Sequence, residues 1–263
     1  MGTEITTGTL GGRLGYLRFG SGPRNVVVLP GLILDNEAPS GLAARAYVYG
    51  FRALTANHTV HVVRRQRGLL AGTSIADLAA EYAEVLRAEL GRADVVGLST
   101  GGLIAQELAL GHPETVDRLA LVVSGNRMAE PGRRLCAEWL RLAEARDWRG
   151  LRASMAAAAV DGRVARRLVR ALVRRSGPPD GPNAADFVIT TEAALAHDTT
   201  DRLAGLSGPA LLVGGVDDPF FPEPVLRATA GTRMQLRLLP GGHGVPKRHA
   251  GRLQAELAAF FTA

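Results

Sequence analysis

Apolar residues along this chain fall into two alternating patterns. Short continuous apolar runs, such as 26–29 and 94–98, are typical of strands buried on both faces of a sheet. Longer segments such as 75–90 carry apolar residues at helical spacing, with acidic residues on the other face, and predict amphipathic helices. Strands alternating with helices predict a mostly parallel, doubly wound sheet.

The same patterns give the remaining elements. Residues 4–19 alternate weakly around Gly11-Gly12, which predicts an antiparallel hairpin at a sheet edge. Further strands are expected at 60–63, 119–123, 209–213 and 234–239, and further helices at 42–56, from Ser99 to near Pro113, and at 253–261.

The alternation stops between residues 126 and 206. This segment is rich in Ala and Arg, has helical periodicity without a convincing strand, and contains one sharp loop at 177–182. We therefore expect a core formed by residues 1–125 and 207–263, with 126–206 as a helical insertion between them.

Composition and charge narrow the class of protein. Of the 263 residues, 46 % are hydrophobic, which is ample for a buried core. No apolar run approaches the roughly 20 residues of a membrane-spanning helix. The formal charge is +6, yet Lys247 is the only lysine, so the excess of arginine resembles a codon bias more than a nucleic-acid site.

A local run of arginines supports that interpretation. Val164, Leu168 and Leu172 repeat every four residues within 163–175, which predicts an amphipathic helix with a buried apolar stripe and a solvated basic face. We expect the arginines to face solvent and to bind no nucleic acid. They are Arg163, Arg166, Arg167, Arg170, Arg174 and Arg175.

The single cysteine and the first residues of the chain indicate the cellular compartment in which the protein is expected. Cys136 has no partner for an internal disulfide, which suits a reducing environment. The first residues lack the layout of a signal peptide. We expect a cytoplasmic protein with Cys136 as a helix residue of the insertion.

The candidate chemistry is centred on Gly97-Leu98-Ser99-Thr100-Gly101. A strand that turns at once into a helix strains the turning residue and crowds the positions two residues to either side, so glycine is needed at both. Such a turn points Ser99 out of the sheet at a helix N-terminus, where developing negative charge is favoured. The alternative is a glycine-rich loop that happens to contain a serine.

Polar residues also follow two later strands. Asp217 and Asp218 come after the strand at 209–213, and His243 comes after the last strand. Serine needs a base near neutrality, and that base needs a carboxylate to orient it. Because parallel strands present their carboxyl ends at one sheet edge, Ser99, an aspartate and His243 are expected to meet there.

These motifs resemble those of the α/β-hydrolase superfamily. The resemblance rests on Gly97-Leu98-Ser99-Thr100-Gly101, on Gly215-Val216-Asp217-Asp218 and on Gly242-His243-Gly244, and it covers nearly the whole chain outside 126–206. It implies an α/β-hydrolase fold with about eight strands and a helical cap at 126–206. Ser99, Asp218 and His243 would be catalytic, with Asp218 preferred over Asp217.

The resemblance also implies an oxyanion hole and a pocket. The backbone N–H groups of Thr100 and Leu32 would hold the oxyanion, although Pro30 stands where relatives usually carry histidine. Leu32, Trp139 and Trp148 are candidates to line the substrate pocket. No cofactor and no metal ion are implied.

Three functions remain open. The first is a serine hydrolase acting on an ester, lactone or thioester of a small, largely apolar acid. The second is an acyltransferase, carbon–carbon hydrolase, cyclase or lyase that uses the same triad. The third is a ligand-binding protein without turnover, since fold alone does not decide function. In each case the expected partner is a small molecule, with no nucleic acid and no membrane, and the chain is a monomer or homodimer.

Overall fold

The computed structural model describes residues 4–176 and 184–262, and its centre is an eight-stranded sheet. Residues 119–122 and 210–215, which belong to two neighbouring strands of the sheet, are all buried. The continuous apolar runs in the sequence predicted this burial. The strands are β1 Ile5–Leu10, β2 Leu14–Phe19, β3 Arg24–Leu29, β4 His58–Val63, β5 Ala93–Leu98, β6 Val116–Val122, β7 Ala210–Gly215 and β8 Met234–Leu239.

The strand order is β1-β2-β4-β3-β5-β6-β7-β8. The expected hairpin is confirmed, because β1 pairs antiparallel with β2 at one edge, and β2 pairs antiparallel with β4. All other neighbouring strands are parallel. The carboxyl ends of β5, β7 and β8 therefore lie along one edge of the sheet.

Helices cover both faces of the sheet. Buried residues of α2 and α3 belong to the core on one face, and those of α1 and α10 belong to the core on the other. The helices are α1 Gly41–Phe51, α2 Ile75–Val85, α3 Thr100–Gly111, α4 Glu130–Glu144, α5 Trp148–Ala158, α6 Arg163–Ser176, α7 Ala184–Ala196, α8 Glu223–Ala230, α9 Val245–Arg248 and α10 Ala250–Thr262.

The segment between β6 and β7 is helical. Helices α4 to α7 lie within it, and a β-bridge between Arg127 and Asp198 joins its two ends. The chain thus leaves and re-enters the sheet at neighbouring points. The boundaries 1–125, 126–206 and 207–263 stay predictions, and the expected loop at 177–182 lies outside the described residues.

The basic helix α6 differs from expectation in which face is buried. Its arginines 163, 166, 167, 170, 174 and 175 are exposed, as predicted. However, Val164, Leu168 and Leu172 are exposed too, at 72 %, 66 % and 67 %, so the predicted buried stripe is wrong. Residues 165, 169 and 173 are the half-buried ones. These residues are Ala165, Val169 and Val173. Their small side chains allow α6 to lie close to the alanine-rich α5.

Helix α8 was not predicted from the sequence, because eight residues give too few turns for a helical period to stand out.

No helix within residues 4–176 and 184–262 combines the length and apolar character needed to cross a lipid bilayer.

Candidate active site

Ser99 lies in the tight turn between β5 and α3. Its φ of +50° is in the left-handed region, which costs energy for a residue with a side chain. The flanking glycines are needed for close approach: a Cβ on Gly97 would lie 2.5 Å from Gly102 Cα, and one on Gly101 would lie 2.0 Å from the Leu29 carbonyl oxygen. The steric reasoning from sequence thus matches the observed turn.

The loop after β3 passes beside this turn. A Cβ on Gly31 would lie 3.2 Å from Ser99 Cβ, so the loop carrying Gly31 and Leu32 borders the serine. Leu32 and Thr100 do not donate their backbone N–H groups to any residue that the structure describes. Both residues line the same cavity as Ser99. Their N–H groups are therefore available to a ligand, as an oxyanion hole requires.

A buried arginine holds that loop. The Nη1 group of Arg65 donates hydrogen bonds of 3.0 Å to the carbonyl oxygens of Pro30 and Gly31. Arg65 is only 1 % exposed, and this burial lowers its pKa. Sequence reasoning missed Arg65. The available signal was the pair Arg64-Arg65, which follows the buried strand β4 at the same sheet edge as Ser99.

His243 bridges Ser99 and Asp218. Its Nε2 lies 2.9 Å from Ser99 Oγ, and its Nδ1 lies 2.7 Å from Asp218 Oδ2. An ionised carboxylate only accepts hydrogen bonds, so Nδ1 carries the proton and Nε2 is left to accept from the serine hydroxyl. This is the tautomer in which a histidine acts as a base toward serine.

Asp218 is rigidly held, whereas its neighbour is not. Asp218 is 1 % exposed, and its Oδ1 accepts the backbone N–H groups of Phe220 and Phe221. Asp217 is exposed, and the carboxylate that pairs with His243 Nδ1 is that of Asp218. The structure thus brings Ser99, Asp218 and His243 together and leaves Asp217 apart. Their catalytic role stays a prediction.

A cavity of about 180 Å³ opens above Ser99 and His243. Its wall is largely apolar and comes from both the sheet edge and the helical segment. Beside Ser99, Thr100, Gly31, Leu32 and His243, it is lined by Met128, Cys136, Trp139, Met155, Ala158, Ala159, Ala194 and Phe220. Trp139 and Leu32 both line this cavity, and their role as substrate-pocket residues stays a prediction.

Trp148 does not line this cavity, which corrects its assignment as a pocket residue. It is the first residue of α5, where it is half-buried and packs against the main core. Trp139 instead packs on Phe220, which in turn packs on His243 with ring centroids 4.6 Å apart. A tryptophan in a helix packs in the core or lines a pocket, depending on the face of the helix on which it lies. The sequence did not identify that face for Trp148.

Cys136 lines the cavity as a buried free thiol. Burial raises the pKa of its thiol to about 12, so the thiolate is scarce at neutral pH. Its Sγ lies 3.6 Å from Met128 Sδ. Cys136 therefore acts as a small apolar wall residue of α4.

A larger cavity of about 360 Å³ lies between the start of α2 and the end of α7. His197 and Glu107 line it, but none of Ser99, Asp218 and His243 does. Volume alone would favour this cavity, yet the hydrogen-bonded serine, histidine and aspartate favour the smaller one. In the described part of the chain, no group of three or more His, Cys, Asp or Glu side chains could hold a metal ion.

A model of a known protein family matches most of the chain. A family model described as the alpha/beta hydrolase family matches residues 26–255. Among curated proteins, a polyketide synthase (ThaQ) from Burkholderia thailandensis is 31 % identical over 272 residues. That match covers 95 % of this chain, but the chain spans only 12 % of that relative's length.

Similar solved structures share the fold at low identity. The enol-lactonase from Burkholderia xenovorans LB400 has a TM-score of 0.77 and 19 % identity, over 98 % of this chain and 100 % of that one. A thermophilic esterase from Thermogutta terrifontis has a TM-score of 0.72 and 21 % identity, over 100 % and 98 %. These likenesses concern the whole chain, including the helical segment between β6 and β7.

Proposed function

The chain belongs to the alpha/beta hydrolase family, and from that premise we propose that it is a serine hydrolase for an ester, lactone or thioester of a small, largely apolar acid. The observation that carries the proposal is His243, which lies within hydrogen-bond distance of both Ser99 Oγ and Asp218 Oδ2. Serine is a weak nucleophile that gains reactivity from such a base.

Acylation begins when Ser99 Oγ attacks the substrate carbonyl carbon. His243 Nε2 takes the hydroxyl proton, and Asp218 stabilises the imidazolium that forms. The carbonyl oxygen becomes an oxyanion, which the N–H groups of Leu32 and Thr100 stabilise. Collapse of this intermediate breaks the bond to the leaving group, which receives the proton from His243 and departs.

Deacylation repeats these steps with water. His243 removes a proton from a water molecule as its oxygen attacks the acyl carbon, and then returns that proton to Ser99 Oγ. The free acid leaves, and the serine hydroxyl is restored.

The cavity supports a small, apolar acyl group. Its volume of about 180 Å³ is below the ~300–1,000 Å³ that is typical of drug-sized ligands. Its wall is dominated by Met, Trp, Phe, Leu and Ala side chains, and burying apolar groups there is favourable.

Hydrolysis of short p-nitrophenyl esters tests the proposal. We expect turnover with a burst of one nitrophenolate per Ser99, because a burst reports accumulation of an acyl-enzyme. Ser99→Ala should abolish the burst while the variant keeps the fold. A normal burst in Ser99→Ala would contradict the assignment of the nucleophile.

The similarity to part of a polyketide synthase favours a second candidate, transfer of the acyl group to an acceptor other than water. The same acyl-enzyme would form, and an alcohol or amine would replace water in the second half-reaction. Adding such an acceptor during ester turnover distinguishes the two. A transferase forms the acyl product in preference to the free acid at low acceptor concentration, whereas a hydrolase releases mainly the acid under the same conditions.

A further inference from the structure

We propose that Asp161, in the loop between α5 and α6, is a positioning residue that holds His243 against Ser99 and Asp218. This inference rests on the proposed function, because it assigns Asp161 an effect on the same chemical step. It goes further because it gives the helical segment between β6 and β7 a part in positioning His243.

The loop that carries His243 is tied from two sides. On the sheet side, the Gly241 carbonyl oxygen accepts the Asp217 N–H at 3.0 Å. On the side of the helical segment, Asp161 Oδ1 accepts the N–H of Gly242 at 2.9 Å. Gly242 directly precedes His243, so the Asp161 hydrogen bond acts one residue from the base.

The second oxygen of Asp161 reaches the element that follows the loop. Its Oδ2 accepts a hydrogen bond of 3.0 Å from Arg248 Nη1, and Arg248 is the last residue of α9. One carboxylate of the α5–α6 loop therefore contacts the chain on both sides of His243.

The glycines around His243 allow this loop to come close. A Cβ on Gly244 would lie 2.1 Å from the Ala159 carbonyl oxygen, and a Cβ on Gly242 would lie 2.9 Å from Asp161 Oδ1. Side chains at these two positions would push residues 159–161 away. The Gly-His-Gly sequence thus serves the contact with the helical segment as well as the turn itself.

Positioning matters here because His243 has to satisfy two partners at once. Its ring bridges 2.9 Å to Ser99 Oγ and 2.7 Å to Asp218 Oδ2, and a misplacement of about 1 Å in such a site can cost ~10²-fold in rate. Water can reach the Gly242 N–H when the carboxylate is removed, because this contact is only part-buried. We therefore expect the loop that carries His243 to become more mobile in the absence of the Asp161 carboxylate, without losing its overall conformation.

The test compares Asp161→Ala with two partial variants and a control. Asp161→Ala removes both contacts, Asp161→Asn keeps an acceptor oxygen for Gly242, and Arg248→Gln removes only the ion pair. Asp117→Ala is the control, because Asp117 pairs with Arg92 at the start of β6, on the opposite edge of the sheet from Ser99.

We expect Asp161→Ala to lower kcat for a p-nitrophenyl ester about tenfold, less than a full misplacement costs. KM should stay nearly unchanged, because Asp161 does not line the cavity above Ser99. Asp161→Asn, Arg248→Gln and Asp117→Ala should keep nearly the full kcat. Wild-type kcat in Asp161→Ala, or an equal loss in the Asp117→Ala control, would overturn the proposal.

A spectroscopic measurement separates this proposal from the proposed function. The proton NMR signal of the His243 Nδ1–H group, which is hydrogen-bonded to Asp218, reports the ring position without any turnover. Asp161→Ala should broaden or shift that signal, and Asp161→Asn should restore it. An unchanged signal in Asp161→Ala refutes the positioning role, whereas a wild-type protein that does not turn over esters refutes only the proposed function.

Discussion

At the scale of single residues, Asp217 and Asp218 are chain neighbours in opposite surroundings. Asp218 is buried against His243, whereas Asp217 is exposed. We expect Asp218→Asn to keep the fold and to lower kcat by about 10⁴-fold, because an amide stabilises the wrong tautomer of the histidine. Steady-state ester hydrolysis measures the effect.

Asp217→Asn is the matched control and should keep most of the activity. Equal losses in the two variants, or a larger loss at Asp217, would show that the wrong carboxylate has been assigned to His243.

Trp139 is the residue from which we expect specificity. It lines the cavity above Ser99, and its Nε1 group donates to Ser154 Oγ at 3.1 Å. Trp139→Phe removes part of the wall, so the kcat/KM ratio of a butyryl over an acetyl ester should rise by about tenfold, the lower end of what one methylene is worth in a pocket.

Trp148→Phe provides the comparison, because Trp148 lies outside that cavity. Its acyl preference should match that of the unmodified protein. A shift in the Trp148 variant and none in the Trp139 variant would place the acyl group elsewhere.

The sequence identified the residues whose type is fixed by sterics or by acid–base chemistry. Ser99 was identifiable because only glycine fits two residues to either side of it, and His243 because serine needs a base at the same sheet edge. Arg65 was visible in the sequence only as a charged residue near the end of a buried strand, and neither its role nor that of Asp161 could be identified. Each acts through backbone groups of a distant segment, namely Pro30 and Gly31 for Arg65 and Gly242 for Asp161, and such contacts leave no local motif.

At the scale of elements, the strands were predictable because they are buried on both faces, which requires continuous apolar runs. Helix faces were harder, as α6 illustrates. Val164, Leu168 and Leu172 repeat every four residues, but so do Ala165, Val169 and Val173, and this second stripe is the half-buried one. When a helix has two apolar stripes, the buried one is decided by how closely each stripe can pack against its neighbours. The sequence pattern alone does not contain that information.

Strand β4 carries a buried histidine with a consequence for stability. His61 is 5 % exposed, and burial, with a smaller contribution from Arg18 on β2, lowers its pKa to about 4. Its ordinary value is 6.5, so between pH 6.5 and 4 the unfolded chain binds a proton that the folded chain does not. The stabilisation present above pH 6.5 is therefore lost as the pH falls toward 4.

Urea unfolding at pH 7 and pH 4.5 measures this effect. The histidine accounts for a loss on the order of 2–3 kcal/mol in the free energy of unfolding. His61→Asn removes the titrating group and should reduce the loss by about that amount. Parallel pH dependence in the two proteins would mean that His61 does not titrate as its burial implies.

At the scale of the whole molecule, the order of elements determines where the chemistry lies. Ser99, Asp218 and His243 follow β5, β7 and β8, and the helical segment leaves the sheet after β6, between β5 and β7. The described residues of that segment, 123–176 and 184–209, add no strand to the sheet, and the segment supplies Trp139, Met155 and Ala159 to the cavity wall. The fold class was predictable because this alternation of strands and helices leaves few topologies open.

Covalent labelling shows whether Ser99 is a nucleophile activated by His243. A serine-reactive phosphonate is incubated with the protein, and the adduct is located by peptide mass spectrometry. We expect one adduct, on Ser99, that is lost in Ser99→Ala and forms far more slowly in His243→Ala. Labelling of a different residue, or equal labelling of Ser99 with and without His243, would contradict it.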